Sequence, residues 1–155
     1  MKNFLTIKKF NKNHSNDLLK IFNSGVESNQ FFNNKKILKK EHENWLNLNF
    51  KTFIIFVLQF NNKVIGYCRF DKKEKNIYKI SIAILKKYRN KGFGEYLLKN
   101  SIKKIKNKNK NKLVAIVKKN NLRSLVIFLK NNFRVLNKKN SFRVKSNNYY
   151  MELII

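Results

Sequence analysis

ISIAILKKYRNKGFG, residues 80–94, is the stretch that decides the fold of this chain. Its first five residues alternate in the manner of a strand, and an amphipathic run follows its glycines. Between the two lies a turn with Gly92 and Gly94, two of the four glycines in the sequence. Such a turn lets successive backbone N–H groups point at one anion, and the start of the next helix adds its partial positive charge. With the full charges of Arg89 and Lys91, the stretch predicts a phosphate-binding turn between a strand and a helix.

The composition indicates one globular domain that spans 1–155. Proline is absent, no Gly- or Ser-rich linker divides the chain, and 43% of the residues are hydrophobic. This length is sufficient for a core without disulfides or metals. Cys68 is the only cysteine, so neither an internal disulfide nor a cysteine cluster for zinc can form, and we expect no metal site.

The formal net charge of +28 first suggests a polyanionic partner. Lys and Asn are nevertheless spread over the full length, and with abundant Ile and Phe they are typical of A/T-rich codon usage. Dispersed charge is a weak indication of nucleic-acid binding, so a solvated basic surface is favoured over a nucleic-acid partner. Such a surface still favours a small anionic ligand.

The start of the chain lacks the long apolar segment of a signal peptide, and the longest apolar run, 53–58, is far too short to span a membrane. We therefore expect a cytoplasmic protein with no membrane partner. The oligomeric state stays open at this point, a homodimer included.

Hydrophobic periodicity predicts eleven strands and helices in the order β-α-α-β-β-β-α-β-α-β-β. The predicted strands are 5–9, 52–60, 64–70, 77–85, 113–117, 133–136 and 149–154. Four helices are predicted. The first is short, is capped by Ser15 or Asn16 and ends at Asn23. The others are 38–49, a long helix that begins at residue 93, and 122–131. Asn61-Asn62 predicts a hairpin turn, 71–76 a second turn, and the Lys/Asn tract 103–112 a solvated helix end and loop.

Three sequential antiparallel strands followed by a βαβ unit indicate the fold class. We expect an α/β fold of the α+β type, with a mixed, mostly antiparallel sheet of about six to seven strands. Helices should cover both faces of this sheet, and the apolar strand at 52–60 should be buried on both sides.

The predicted helix at 122–131 has two distinct faces at 100° per residue. The face that we expect to meet the core consists of Leu122, Leu125, Val126 and Leu129. Asn121, Ser124 and Phe128 cluster elsewhere and are free to meet a ligand. Asn132 follows the helix, at a place where a left-handed residue is needed and Asn is the usual second choice after Gly.

These features resemble the GNAT superfamily of N-acetyltransferases. Its acetyl-CoA signature, Arg/Gln-x-x-Gly-x-Gly/Ala after the fourth strand, is matched by Arg89, Gly92 and Gly94. Its second signature shows Asn, a small residue, Tyr and then Gly-Phe further along the chain. The residues at matching spacing are Asn121, Ser124, Phe128, Asn132 and Phe133.

The N-terminal half resembles a narrower branch, the sugar-nucleotide N-acetyltransferases of pseudaminic- and legionaminic-acid-type (nonulosonate) biosynthesis. The matching elements are Asn23, 28–34, Ile37, Glu41-His42-x-x-Trp45, Gly66-x-x-Arg69-Phe70-Asp71 and Ile80-Ser81-Ile82. This resemblance implies acetyl transfer to the amino group of a nucleotide-linked amino-deoxy sugar.

The resemblance also implies acetyl-CoA as the co-substrate and direct transfer of its acetyl group to a primary amine. The pantetheine arm would pair with the strand around Ile82 and Ile84, and the pyrophosphate would lie on the N–H groups of 90–94. The implied cofactor-binding residues are Ile82, Ile84, Arg89, Asn90, Lys91, Gly92, Phe93, Gly94, Asn121 and Ser124.

Acetyl transfer needs a base for the ammonium and a proton donor for the leaving thiolate. The superfamily often donates this proton from a Tyr on the downstream helix, but Phe128 occupies that position and has no proton to donate. Glu41 and His42 are the candidate catalytic residues. His42 shares an apolar helical face, so a packed histidine is an equal alternative. Lys79 is unsuitable as a base if it is protonated.

Trp45 and Arg69 are the candidate substrate residues. Trp45 either stacks on a sugar or base or belongs to the core. Arg69 either grips a substrate phosphate bidentately or forms an ion pair with Asp71 or Glu74. Cys68 is disfavoured as an acyl-carrying nucleophile, because no His partner is evident.

Two other functions remain open for this sequence. One is a GNAT enzyme that acts on a protein N-terminus or another small amine, such as a polyamine or an aminoglycoside. The other is a basic nucleic-acid-binding module without catalysis. A polycationic substrate needs a carboxylate-rich site, and the chain has only eight Asp and Glu residues, which favours an anionic amine.

Overall fold

The computed structural model describes residues 4–29, 35–105, 111–136 and 147–155. The segment 30–34 and the middle of the Lys/Asn tract, 106–110, lie outside the described residues. The strands are β1 (Leu5–Lys9), β2 (Phe53–Phe60), β3 (Lys63–Glu74), β4 (Ile77–Ile84), β5 (Lys112–Lys118), β6 (Arg134–Val135) and β7 (Asn148–Ile154). The α-helices are α1 (Ser15–Glu27), α2 (Lys39–Asn49), α3 (Phe93–Ile105) and α4 (Leu122–Lys130). The predicted order of strands and helices is confirmed.

The seven strands form one sheet in the order β1-β2-β3-β4-β5-β7-β6. Neighbouring strands are antiparallel, except that β4 and β5 are parallel and are connected through α3. The expected fold class, a mixed and mostly antiparallel sheet, is confirmed.

Helices cover both faces of the sheet, and each face has its own core. Helices α1 and α2 contribute Leu18 and Leu46 to one cluster, whereas α3 and α4 contribute Leu97, Leu98 and Phe128 to the other. None of the described helices is long and apolar enough to span a membrane.

Strand β2 is buried on both sides, as predicted. Ile55 and Val57 belong to the core under α1 and α2, whereas Phe56 and Leu58 belong to the core under α3 and α4. Burying one side chain of this size contributes about 1.5–3 kcal/mol, so β2 stabilises both layers at once.

The parallel strands β4 and β5 are paired at one end only. The register joins 77–79 to 112–114, and no further pair follows among the described residues. Beyond this point a gap lined by both strands opens in the sheet, beside the turn that follows β4.

Asparagine takes every left-handed position of the described backbone except that of Gly92. The non-glycine residues with positive φ are Asn29, Asn61, Asn62, Asn76, Asn90 and Asn132, with φ between 47° and 64°. Two consecutive left-handed residues at 61 and 62 make the predicted hairpin turn between β2 and β3. The left-handed Asn132 ends α4, also as predicted.

Two predicted boundaries are wrong. Strand β3 does not end at Phe70 but continues to Glu74, because its ladder with β4 resumes after a register shift and pairs Glu74 with Ile77. Helix α1 does not end at Asn23 but runs to Glu27, and Ser15 is its first residue rather than its cap. The additional helical turn is held by contacts from Arg89, described below.

The expected core face of α4 is wrong for three of its four residues, and only Leu125 packs, partly buried, against the core. Leu122, Val126 and Leu129 are 62%, 48% and 46% exposed, whereas Phe128 is 3% exposed and packs against Phe133 with ring centroids 4.9 Å apart. The sequence offers two apolar arcs on this helix, and periodicity alone does not rank them. The arc with Phe128 faces the core, where its ring packs edge-on against Phe133, and such aromatic pairs are favourable beyond the area that they bury.

Candidate active site

A cavity of about 470 Å³, here called the turn cavity, opens where β4 ends. Its walls are the end of β4, the turn before α3 and one side of α4. Eight of the ten predicted cofactor-binding residues line it: Ile82, Ile84, Arg89, Asn90, Gly92, Gly94, Asn121 and Ser124. The exposed aliphatic side chains of Leu122 and Val126 line it as well, so the arc that α4 turns away from the core forms an apolar wall here.

Two of the predicted residues do not line the turn cavity. Lys91 is exposed at the tip of the turn. The ring of Phe93 packs in the core layer, with its centroid 5.3 Å from that of Phe60 and 6.4 Å from that of Tyr88. Phe93 is the first residue of α3 and directly follows Gly92 of the turn.

Gly92 is the residue whose lack of a side chain matters most in this turn. Its φ is +76°, and a Cβ built on it would meet no atom within 4 Å. Asn90, two residues earlier, holds φ +63° without difficulty, so backbone conformation alone does not require glycine at this position. The open space in front of Gly92 therefore suits a group that approaches the backbone closely.

Gly94 serves the packing of two helices. A Cβ on this residue would lie 3.0 Å from Cδ1 of Ile127 on α4. The glycine therefore lets the start of α3 approach α4, and this approach sets the width of the turn cavity.

The Arg89 side chain does not face the turn cavity as a free charge, contrary to the expectation from the sequence. Its Nε donates to the carbonyl of Ile84 at 2.8 Å, and its Nη1 donates to the hydroxyl of Ser28 at 2.8 Å. Its Nη2 lies 3.3 Å from the carbonyl of Ser24. Burial lowers the pKa of Arg89, with nearby Arg123 acting in the same direction, but a guanidinium stays charged in proteins. The positive charge is thus directed at the end of α1.

Two further cationic residues line the turn cavity beside Arg89. Arg123, in the first turn of α4, is exposed and lines the turn cavity. Lys130 lines it too and lies 3.4 Å from Glu95. Sequence reasoning missed Arg123, because the family signature specifies its neighbours Asn121 and Ser124 and leaves this position free.

The gap between β4 and β5, here called the strand cleft, is a cavity of about 90 Å³. Ser81, Ile82 and Ile116 line it from the two strands. Asn121, Ser124 and Phe128, the residues of the second signature, line it from the start and one side of α4. The Asn121 amide oxygen accepts the N–H of Ser124 at 3.2 Å and so caps α4.

A third cavity, the α1–α2 pocket of about 240 Å³, lies on the opposite face of the sheet. Its lining residues are Leu18, Phe22, Ile37, Glu41, His42, Trp45, Ile55, Tyr67 and Arg69. All four predicted catalytic and substrate residues, Glu41, His42, Trp45 and Arg69, therefore converge on one mostly apolar pocket. Sequence reasoning missed Tyr67, whose only signal was its place two residues before Arg69 on the same strand face.

His42 is a packed histidine that nevertheless reaches this pocket. It is 4% exposed, and its Nε2 lies 3.0 Å from the carbonyl oxygen of Ser15. A carbonyl only accepts, so Nε2 carries the hydrogen and Nδ1 of the neutral ring is the basic nitrogen. Burial lowers the pKa of His42, and the opposing effects of the Ser15 carbonyl and Glu43 are smaller. The ring is therefore neutral at physiological pH.

The carboxylate of Glu41 has a structural task. Its Oε2 accepts the N–H of Leu38 at 2.7 Å, an interaction that closes the first turn of α2. The side chain is exposed at the rim of the pocket. His42 is consequently the better placed of the two candidate bases.

Arg69 forms the ion pair with Asp71 that was one of its two sequence interpretations. Its Nε and Nη2 lie 2.9 and 3.0 Å from the two carboxylate oxygens. The guanidinium carbon also lies 5.0 Å from the ring centroid of Trp45, which stacks on Phe53 at 5.1 Å. Trp45 and Arg69 therefore form a preorganised wall, in which the charge of Arg69 is already partly neutralised.

The register connects the α1–α2 pocket to the strand cleft. Arg69 and Tyr67 on β3 pair with Ser81 and Ala83 on β4. Directly opposite residues of neighbouring strands have Cβ atoms about 4.5–5.5 Å apart. Tyr67 and Arg69 line the pocket, Ser81 lines the strand cleft, and Ala83 lines the turn cavity, so the three spaces adjoin one another.

Three ionisable side chains near these spaces are shifted by burial. Burial raises the pKa of Tyr67 to about 12, so its hydroxyl stays protonated at neutral pH. Burial also raises the pKa of the Cys68 thiol to about 12, which agrees with its being disfavoured as a nucleophile. The pKa of Lys79 is lowered, mainly by burial. Among the described residues, no group of three or more His, Cys, Asp and Glu side chains is placed to hold a metal ion.

Comparison with known proteins gives one family and many related folds. The sequence model of the acetyltransferase (GNAT) family matches residues 19–133. A search of curated protein sequences gave no significant match. YncA from Salmonella typhimurium, solved with its cofactor acetyl-CoA, is 20% identical with a TM-score of 0.81, and the match covers 97% of this chain and 93% of that one.

Two further solved structures carry names that specify an acceptor. The ribosomal-protein-alanine N-acetyltransferase from Brucella melitensis is 20% identical, with a TM-score of 0.82 and coverage of 97% and 99%. The spermidine N-acetyltransferase from Vibrio cholerae, solved with CoA and spermine, is 15% identical, with a TM-score of 0.78 and coverage of 97% and 95%. At these identities the likeness shows the fold alone.

Proposed function

Because this chain belongs to the acetyltransferase (GNAT) family, we propose that it acetylates the amino group of a small anionic molecule, a nucleotide-linked amino-deoxy sugar. Family membership makes the chain an acetyltransferase with acetyl-CoA as its donor. We propose in addition which acceptor it uses and which residues bind each substrate.

The observation that carries the donor site is the gap between two parallel strands beside the turn that contains Gly92. The pantetheine arm lies along β4 at Ile82 and Ile84, where β5 no longer pairs with it. The pyrophosphate lies on the N–H groups of 90–94, in the open space before Gly92. Each contact of an anion with a helix start contributes about 0.3–1 kcal/mol, so the sum of contacts rather than one residue holds the donor.

The acceptor amine approaches from the α1–α2 pocket, since this pocket adjoins the strand cleft through β3 and β4. The amine nitrogen attacks the thioester carbonyl carbon, the C–N bond forms, and the C–S bond breaks to release a thiolate. The neutral His42 ring takes the proton of the ammonium, directly or through water. The second proton, which the nitrogen loses as the amide forms, goes to the thiolate directly or through water. Tyr67, which stays protonated, donates a hydrogen bond to the departing sulfur, as Phe128 cannot.

The charge of the pocket supports an anionic acceptor. Among the residues that the structure describes, Glu41 is the only carboxylate in its lining, and its oxygen already accepts the N–H of Leu38. A polyamine would therefore leave its ammonium groups without counter-charges in a mostly apolar pocket, which is costly. Arg69 and the half-buried Lys79 on the neighbouring strand instead favour an acceptor with a phosphate.

The test is thiol release from acetyl-CoA with a panel of acceptors. The panel contains UDP- and CMP-linked amino sugars, spermidine, and a peptide that begins with alanine. We expect the highest kcat/KM with a sugar nucleotide. A higher kcat/KM with spermidine or the peptide would refute the acceptor class, and an absence of acetyl-CoA binding in calorimetry would refute the donor site.

Two matched variants test the base. We expect His42→Gln to lower kcat about a hundredfold or more, since positioned acid–base groups contribute about 10²–10⁴. Glu41→Gln keeps an oxygen for the N–H of Leu38 and removes the negative charge, so its kcat should stay near that of the wild type. The reverse ranking would assign the base to Glu41.

A further inference from the structure

We propose that residues 24–29, which are the last turn of α1 with the two residues that follow it, form a clamp that ties the two sides of the turn cavity together, with Arg89 and Lys118 as its positioning residues. The clamp sets the separation between the turn after β4 and the start of α4. This inference rests on the proposed function only in taking the turn cavity as the donor site.

The β4 side is held through Arg89. One guanidinium reaches three points at once: the last carbonyl of β4, at Ile84, and the hydroxyl of Ser28 and the carbonyl of Ser24 on α1. The Ser28 hydroxyl also donates to the Ser24 carbonyl at 2.9 Å, so the helix end and the guanidinium form one network. A cation is favourable here because the last carbonyls of a helix carry partial negative charge.

The β5 side is held through Lys118, the last residue of that strand. Its Nζ donates to the side-chain oxygen of Asn29 at 2.9 Å. Asn29 is the second residue after α1 and has the left-handed conformation, with φ +52°. Asn29 thus both turns the chain away from the helical path and binds Lys118 of β5 through its side chain.

The place of the clamp explains why a connection is needed there. The ladder between β4 and β5 ends at Lys79 and Val114, so sheet hydrogen bonds do not fix the distance between the strand ends. The end of α1 and the start of α4 also border the same space, because Ser28, Asn29 and residues 120–123 line one groove of about 410 Å³. The last turn of α1 therefore connects two elements that the sheet leaves apart.

This arrangement assigns a different task to the arginine of the anion-binding signature. A phosphate ligand would point its guanidinium at the donor, whereas Arg89 points it at α1. Its loss should then affect every donor that occupies the turn cavity, whether or not the donor carries the phosphates of CoA. Acetyl-pantetheine, which has the thioester and the pantetheine arm but no phosphate, separates the two tasks.

The variants are Ser28→Ala, Ser28→Thr, Arg89→Gln and the double variant Ser28→Ala/Arg89→Gln, with Arg134→Gln as a control of equal charge change. Arg134 lies exposed on β6, away from α1. We expect Ser28→Ala and Arg89→Gln each to raise KM about tenfold for both donors with a smaller effect on kcat, since a hydrogen bond to a charged group is at stake. Ser28→Thr should retain the wild-type KM, and the double variant should resemble Arg89→Gln, because both residues serve one network.

An increase in KM for acetyl-CoA alone in Arg89→Gln, with no effect of Ser28→Ala, would overturn the clamp and make Arg89 a phosphate ligand. Amide exchange without any donor provides a second readout that does not depend on the proposed function. We expect exchange at residues 116–124 to become about tenfold faster in Arg89→Gln and Ser28→Ala than in the wild type and Arg134→Gln. Unchanged exchange there would also overturn the clamp.

Discussion

The asparagines of this chain show which of its glycines are needed for a reason other than backbone conformation. Six asparagines occupy left-handed positions at five turns, so the chain does not need glycine wherever φ is positive. Gly92 is the exception, with positive φ and open space before it. The strand, turn and helix around Gly92 could thus be predicted from the sequence. The direction of Arg89 could not, because its partners Ser28 and Ser24 lie 61 and 65 residues away along the chain.

Gly92→Glu should weaken acetyl-CoA binding about tenfold or more without unfolding the protein. A side chain enters the space where the pyrophosphate approaches, and its charge repels that group. The left-handed backbone adds a strain of about 1–2 kcal/mol. The measurement is calorimetric titration with acetyl-CoA, accompanied by a thermal melt.

Gly92→Asn is the control for backbone conformation, since Asn90 already holds a similar φ in this turn. It should melt near the wild type and bind acetyl-CoA with intermediate affinity. Wild-type affinity in Gly92→Glu would contradict the assignment of the turn.

His42 should make the protein less stable at mildly acidic pH. Its pKa in the folded state lies below 6.5, because burial disfavours the charged ring. As the pH falls below 6.5, the unfolded chain binds a proton that the folded chain does not, so stability is lost until the pH passes the lower, folded-state pKa. In urea titrations, the free energy of unfolding should decrease more between pH 7.5 and pH 5.5 for the wild type than for His42→Gln. Parallel pH profiles of the two proteins would show that the ring titrates normally.

At the scale of the elements, the sequence specified almost every strand and helix but not how α4 is rotated. The period of α4 leaves two apolar arcs, and only contact with Phe133 and the sheet selects the one with Phe128. The long ladder of β3 with β4 was also missed, because its charged end looks like a turn. It is the pairing partner, invisible in a single segment, that extends the strand to Glu74.

Strands β3 and β4 meet closely at Gly66. A Cβ there would lie 2.4 Å from Cδ1 of Ile84 and 2.7 Å from the carbonyl oxygen of Ala83. A rotamer change relieves the first contact but not the second, so Gly66→Ala should lower the free energy of unfolding by about 1–3 kcal/mol. Denaturant titration measures this value.

Gly94→Ala is the matched comparison. Its Cβ would meet only the flexible end of Ile127 at 3.0 Å, and alanine favours the helical conformation by about 1 kcal/mol. The two effects nearly cancel, so Gly94→Ala should remain close to the wild type in stability. A larger loss for Gly94→Ala than for Gly66→Ala would contradict this account of the glycines.

For the whole molecule, the main unusual quantity is charge. The net charge is +28, and five of the eight carboxylates in the sequence already lie in ion pairs with Lys or Arg. The remaining cations repel one another across the surface, which destabilises the compact state. The excess of positive charge could be predicted from the composition, and the mixed sheet from the order of strands and helices. Neither predicted that three cavities adjoin one another across β3 and β4, because adjacency depends on strand register.

Added salt should stabilise the protein and weaken its donor binding. Screening shortens the range of repulsion to about 3 Å at 1 M salt, from about 10 Å at 0.1 M. A stabilisation of about 1 kcal/mol raises the Tm of a protein of this size by about 2–4 °C. Thermal melts and acetyl-CoA titrations in a series of NaCl concentrations measure both effects. A Tm that falls with salt would indicate that attraction between opposite charges, rather than repulsion, dominates the surface.

The burial of Cys68 has a practical consequence for work on this protein. Its thiol is the only one in the sequence, it is fully buried, and its pKa is raised to about 12. A reagent that detects thiols therefore reads the CoA released by turnover with almost no background from the native enzyme. Once the sheet opens, the same thiol becomes reactive. The slow rate of Cys68 labelling would then report how often the folded protein opens. One reagent would therefore measure both the enzymatic activity and the kinetic stability of the protein.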